Sequence, residues 1–385
     1  MPHKPIFVGI GEEQRGCGDR VSDQSARTRG HSWLKFLRHY GPVPRADNMF
    51  DETLQRLARR LQIAPIDFQH PKQAEIVACF NKTSPDPVSV ILTGTAGDGK
   101  THLCRQVWQS MGGGEDDWAS NNPHLIIEAR YPSDRRIWPE PDDPSLYRRV
   151  TVHFIRDLSG WAPQQGAEWD AGKAALLQRF CHALFDADAD EIFLIAANDG
   201  QLIESFRRMD GTSAVLRARQ VFEDLLVEDR QKQAGVRLKF FNLSRASSAD
   251  LFDRAIEQFL AHSGWDDLKQ GVPAESDVFG PKCPIRRNYD LLSTPLVRAR
   301  LRSLLELCDH NGLHVPVRQI LLLLTNAVLG HPDVGQHLML PADVPKVIAA
   351  GTVSKASIYN NIFGANLSDI RRQTITIFDF LERFQ

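Results

Sequence analysis

Eight residues, Gly94-Thr-Ala-Gly-Asp-Gly-Lys-Thr101, constrain this chain more than any other feature. They satisfy G-x-x-x-x-G-K-[ST], follow a short apolar, β-branched run (residues 88–93) and precede a helical stretch (residues 102–111). Each position has a chemical reason. Gly94, Gly97 and Gly99 let the backbone curl so that N–H groups, those of Thr95, Ala96 and Asp98 among them, point inward at an anion. The helix that starts near Lys100 adds the positive end of its dipole. Lys100 would reach the β- and γ-phosphates of a nucleotide, the Thr101 hydroxyl would ligate Mg²⁺, and His102 completes the set of cofactor-binding positions. The alternative is a glycine-rich turn with an incidental lysine.

A strand followed by such a loop belongs to an α/β sheet, and four further runs read as strands: residues 125–129, 150–155, 191–197 and 236–243. Mostly apolar strands with helical stretches between most of them predict a parallel five-stranded sheet with helices on both faces. After residue 243 strand signals stop, and helical stretches at 249–262, 295–308 and 316–329 predict a mostly helical lid domain. A loop is expected over 271–284. The whole reading divides the chain into an irregular segment (1–50), an α/β nucleotide-binding core (51–245), a helical lid (246–335) and a C-terminal segment (336–385). Within the first, residues 33–40 read as a short helix. A helix on Leu54, Leu57 and Leu61 follows, and Pro71 opens another. The ending TITIFDFLERFQ alternates like a strand at the start of a further domain.

Catalysis at such a loop needs a carboxylate at the tip of a neighbouring strand. Asp157, after residues 150–155, is the candidate metal ligand with Thr101; its other reading is a turn or capping residue. Leu158 follows it, where a glutamate would polarise the attacking water, and Glu191 lies at the wrong end of its strand. Asn198, at the tip of the next strand, would sense the γ-phosphate or hold the attacking water; Asn-Asp-Gly is also plain turn chemistry. Asp199 is the rival metal ligand. Arg318, near the start of the helix opened by Pro316, is disfavoured there by the dipole unless an anion offsets it. Asp157, Asn198 and Arg318 form the candidate catalytic set. Gln73 could read an adenine edge. The pairs Arg207/Arg208 and Arg286/Arg287 could reach a neighbouring subunit's nucleotide or a nucleic-acid backbone, or simply face solvent. His153 and His182 read as core histidines, and Trp108, Trp161, Trp169 and Trp265 as packing residues.

At 385 residues the chain is long for one domain, and at 42% hydrophobic and 24% charged it is not wholly disordered. The formal net charge of −2 excludes a uniformly basic nucleic-acid binder and leaves room for a local basic face. Of 46 basic residues 34 are arginine, an excess that codon usage or phosphate contacts would produce. Six cysteines without a CxxC pair form neither a disulfide framework nor a zinc spacing. Without a signal-like start or a long apolar run, a cytoplasmic location and no membrane contact are expected.

Taken together, GTAGDGKT after the first strand, RDLS after the third, AAND after the fourth and Arg318 in the helical unit resemble the AAA+ and related STAND branch of P-loop ATPases over residues 65–335. The resemblance puts Asn198 in the sensor 1 place and Arg318 in the sensor 2 place. The segments GPVPRADNMFDE, GTAGDGKTHL, RDLSGW, AANDGQL and NGLHVPVRQILLLL are also similar to ATPases of bacterial restriction and anti-phage systems, including those tied to DNA phosphorothioate modification. This implies an ATPase that uses ATP and Mg²⁺, with turnover dependent on a partner. It also implies protein partners in a multi-component system, DNA contact made locally or through them, and a possible homo-oligomer. The missing glutamate departs from the pattern and points equally to a slowly hydrolysing, ATP-gated switch or scaffold. A small-molecule kinase is a third, weaker reading.

Overall fold

The structure is a computed structural model that describes residues 28–43, 51–84, 86–120, 122–133, 143–163, 168–209, 211–270 and 278–384. The greater part of residues 1–50 and half of the loop expected at 271–284 lie outside that set. Helices take up about 56% of the described residues, around one five-stranded sheet. The chain divides into two compact units: Phe68–Ala255 with Arg302–Ile320, and Met1–Asp67 with Ile256–Leu301 and Leu321–Gln385. The units interleave along the chain, where the sequence reading expects four consecutive segments.

The first unit holds the sheet. Its strands are β1 (Ser89–Thr93), β2 (His124–Pro132), β3 (Tyr147–Ile155), β4 (Glu191–Ala196) and β5 (Leu238–Asn242), in the order β2-β3-β4-β1-β5. All five correspond to runs expected from sequence. β3, β4, β1 and β5 run parallel to one another, so their C-terminal ends share one edge of the sheet. β2 runs antiparallel to β3, with Leu125 opposite Phe154 and Ala129 opposite Val150. The sheet is therefore mixed, which corrects the expectation of a parallel one. Parallel strands need a long crossover, usually a helix. Among the described residues between β2 and β3 there is only the 3₁₀ turn Pro144–Leu146.

The alternation of side chains along the strands separates two cores. Val90, Leu92, Ile192 and Leu194 pack with Ile76, Leu103, Val107, Trp108 and Trp118 from the helices on one face. Ile91, Phe193, Ile195 and Phe240 pack with Leu177, Phe180, Leu202, Phe206, Val215 and Phe222 on the other. Both faces are thus covered by helices. His153 is buried and stacks on Phe193 at 4.5 Å, as a core histidine should. His182 is exposed, contrary to expectation, because it falls on the outer side of its helix, Ala171–Ala183. Trp108, Trp161 and Trp265 are buried and Trp169 packs partly buried against a core.

The other unit is helical. Residues 28–37 are helical and continue into the 3₁₀ turn Arg38–Tyr40, so the helix begins earlier than residue 33. Trp33 stacks on His262 at 3.8 Å and meets Trp265 edge-on at 5.6 Å. Gly264 permits this: a Cβ there would lie 2.3 Å from the Trp33 ring. Buried asparagines close the backbone's polar accounts nearby. Asn288 donates to the carbonyls of Val328 and Ala356, and Asn326 and Asn366 bond each other through their amides. The tail expected as a strand is the helix Thr376–Glu382, with Ile377, Phe378 and Leu381 buried. That spacing makes one helical face, whereas a strand would need every second residue inside. Among the described residues no helix is long and apolar enough to cross a membrane.

Candidate functional site

The loop between β1 and the helix Lys100–Ser110 takes left-handed backbone at Gly94, Gly97 and Gly99, with φ of +136°, +98° and +86°. The three glycines make the sharp curl that non-glycine residues resist. Gly99 caps the helix without any side-chain hydrogen bond, and the first intrahelical bond runs from the Leu103 N–H to the Gly99 carbonyl. The N–H groups of Lys100, Thr101 and His102 therefore have no intrahelical acceptor and carry the positive end of the dipole.

Lys100 folds over the loop. Its ammonium donates to the carbonyls of Gly94 at 2.9 Å and Thr95 at 2.7 Å. Burial pushes its pKa down, while Asp98, Asp199 and Asp157 act on it in the opposite direction. Three carboxylates thus act on one lysine through their charge, two of them candidate metal ligands.

The parallel strands bring the other candidates to this edge. Asp157 follows β3, Asn198 and Asp199 follow β4, and Ser244 follows β5. Asp157 is exposed and caps the 3₁₀ turn Leu158–Gly160, its Oδ1 accepting from the Ser159 N–H at 2.9 Å and from the Ser159 hydroxyl. Leu158 is fully buried. Asn198 sits at the cap of the helix Asp199–Arg207, and its amide donates to Gln201 at 3.0 Å. Asp199 opens that helix, with Oδ1 buried and without a hydrogen-bond partner. Glu191 lies at the opposite end of β4, bound to Arg179 at 2.9 Å.

Sequence reasoning missed the side chains that fasten the loop. Asp98 has only 1% of its surface exposed. Its Oδ2 accepts from the Thr95 N–H at 2.6 Å, the Thr95 hydroxyl at 3.1 Å and the Ser244 hydroxyl at 2.8 Å. Its Oδ1 lies 2.7 Å from His314 Nε2. Burial alone would push the Asp98 pKa up. The bond and charge of His314, with Ser244 and Lys100, hold it below the ordinary carboxylate value. The Arg318 N–H donates to the Gly97 carbonyl at 3.2 Å, and a Cβ on Gly97 would stand 2.9 Å from Arg318 Cβ. Arg318 and the loop therefore touch, which sequence reasoning expects, but His314 and Ser244 leave no local signal that pairs them with Asp98.

Two further groups sit close by. His70 is buried, and its Nδ1 accepts the Lys72 N–H at 3.0 Å, which places the ring proton on Nε2. Burial lowers its pKa to about 4, aided by Arg254 and His102 against Asp98. Gln73 opens the helix Gln73–Ala78 with its Oε1 buried and unpartnered. The paired arginines have carboxylate neighbours of their own: Arg207 binds Glu223, Arg208 binds Glu204, and Arg286 lies 3.7 Å from Asp290.

Among the described residues no group of three or more His, Cys, Asp or Glu side chains is placed to hold a metal by itself. A cation here would need oxygens from a ligand as well. A Mg²⁺–phosphate pair would supply such oxygens, with the Thr101 hydroxyl at the helix start after β1 and the unpartnered Asp199 Oδ1 after β4 as protein donors. No known protein family, curated protein or solved structure matches this chain.

Proposed function

We propose that the chain binds a nucleoside triphosphate, ATP, with Mg²⁺, and hydrolyses it to drive a conformational change. The observation that carries this reading is the loop itself. Three left-handed glycines lead into an uncapped helix start beside Lys100, at the strand edge shared by Asp157, Asn198 and Asp199. The N–H groups of the helix start, and those of the loop other than the Thr95 N–H held by Asp98, bind phosphate oxygens, and Lys100 exchanges its two carbonyl acceptors for them. Mg²⁺, when bound, neutralises charge on the phosphate oxygens; Thr101 and a carboxylate from Asp157 or Asp199 would hold it. Asn198 orients the attacking water, and Arg318 answers the γ-phosphate, so that hydrolysis changes the contact between the loop and the segment Arg302–Ile320. The setting implied by the sequence resemblance, a DNA-processing or anti-phage complex, is part of the proposal.

One observation favours a slowly hydrolysing switch as the second reading. The residue after Asp157 is a buried leucine and Asp157 itself is engaged by Ser159, so no carboxylate is placed there to polarise water.

Lys100→Ala should abolish binding of Mg-ATP in a calorimetric titration while the circular-dichroism melt stays within a few degrees. Unchanged affinity would overturn the loop assignment. Steady-state phosphate release, with and without DNA, then separates motor from switch. Asp157→Asn and Asp199→Asn should keep ATP binding, and the one that stops turnover identifies the carboxylate that works with the metal.

A further inference from the structure

Asp98 is an unexpected side chain in a loop that binds anions, because an unpaired carboxylate there would repel phosphate. It is instead the most heavily bonded group of the loop. Oδ2 gathers the backbone and hydroxyl of Thr95 and the hydroxyl of Ser244, and Oδ1 takes His314 Nε2. The bond to His314 spans 216 positions of sequence. Four residues further on, the Arg318 N–H bonds the Gly97 carbonyl, and the two residues approach so closely that only glycine fits at position 97.

The segment that carries His314 and Arg318 is itself anchored. The Val315 N–H donates to Ser248 Oγ at 2.9 Å. Asp309 accepts from the N–H groups of Ser248 and Ala249 and from the Ser247 hydroxyl, capping the helix Ser248–Ala261. The backbone around Arg318 is thus held from both sides: by the start of that helix and by the loop.

We propose that Asp98 and His314 are positioning residues whose clasp holds the Arg302–Ile320 segment on the loop and so sets Arg318 against the terminal phosphate of the bound triphosphate. The inference rests on the nucleotide-binding reading above. The clasp also removes the adverse charge: with Asp98 satisfied by three hydroxyl or N–H donors and a histidine, its field at the phosphate position is reduced. An Arg318 so held discriminates a triphosphate from a diphosphate, and it does so only while the clasp is intact.

The test uses the full chain and the ratio of affinities for AMP-PNP and ADP, both with Mg²⁺, which requires no turnover. Arg318→Ala should lower that ratio at least fivefold. His314→Ala should lower it by a similar factor with ADP affinity changed less than threefold, and the double variant should be no worse than Arg318→Ala alone. His314→Gln, whose amide can still donate to Asp98, should recover most of the ratio, and covers the case in which His314→Ala folds poorly. Losses that add in the double variant, or an unchanged ratio in His314→Ala, overturn the clasp while leaving nucleotide binding standing. Absence of AMP-PNP and ADP binding to the unaltered chain overturns the nucleotide reading, and the clasp with it.

Discussion

Gly97 and Gly99 both have left-handed backbone, yet a methyl group would meet very different surroundings at the two positions. At Gly97 it would press on Arg318 Cβ at 2.9 Å and Pro316 Cβ at 3.4 Å; at Gly99 nothing lies within 4 Å. Gly99→Ala therefore brings backbone strain alone, on the order of 1–3 kcal/mol. Gly97→Ala brings similar strain and also pushes the Arg318 segment off the loop. Thermal melts should show the larger loss for Gly97→Ala, and a nucleotide titration should show it weaker by tenfold or more than Gly99→Ala. Equal affinities would mean that contact with Arg318 contributes nothing to binding. The three glycines and Lys100 were legible in sequence because their demands are local: a curl, an anion, a helix start. The partners of Asp98 were not, since a carboxylate at one position of a loop carries no mark of a histidine 216 residues away.

Asp309 acts at the level of a whole helix. It lies in the helix Pro295–His310 and caps another, Ser248–Ala261, through bonds of 3.0 Å from the Ser248 N–H and 3.3 Å from the Ala249 N–H. Asp309→Ala should cost about 1–2 kcal/mol, the usual worth of an N-cap, measured by urea unfolding. A smaller loss than Asp→Ala at an exposed position such as Asp290 would deny it that role. Elements were legible where their pattern is short and apolar: all five strands were found, with ends displaced by a few residues. Strand direction was less so. The proline-rich connection containing Pro132, Pro139, Pro141 and Pro144 has no helical period, and that is the signal that β2 returns antiparallel. In the tail, the Thr-Ile-Thr-Ile alternation outweighed the helical spacing of Ile377, Phe378 and Leu381, because burial against other helices cannot be seen in a local window.

At the scale of the molecule, acid should unfold the protein before its carboxylates alone would require. His70 and His153 are buried and their pKa values fall from 6.5 to about 4, chiefly because burial disfavours the charged ring. Between those values the unfolded chain takes up protons that the folded chain refuses. Stability from these residues is complete above pH 6.5 and is lost as pH falls toward 4, by up to about 3 kcal/mol each. Asp98, with its lowered pKa, adds a loss in the same direction at lower pH. Unfolding free energies from urea melts at pH 7.5 and 4.5 should differ by several kcal/mol, about half as much in a His70→Gln, His153→Gln pair; a flat profile would show that these rings are not held neutral.

The clasp also ties the site to the order in which the chain is made. Asp98 leaves the ribosome 216 residues before His314, and the helix start capped by Asp309 precedes its cap by about 60. At 5–20 residues per second the loop waits roughly 10 to 45 s for its partner. By the end of that interval the sheet-bearing unit has every strand and its whole glycine-rich loop, but still a carboxylate without its histidine. A nascent chain stopped before residue 302 would thus present a complete sheet and an unfastened loop, so the loop is fastened late in synthesis, by a short segment made after every strand.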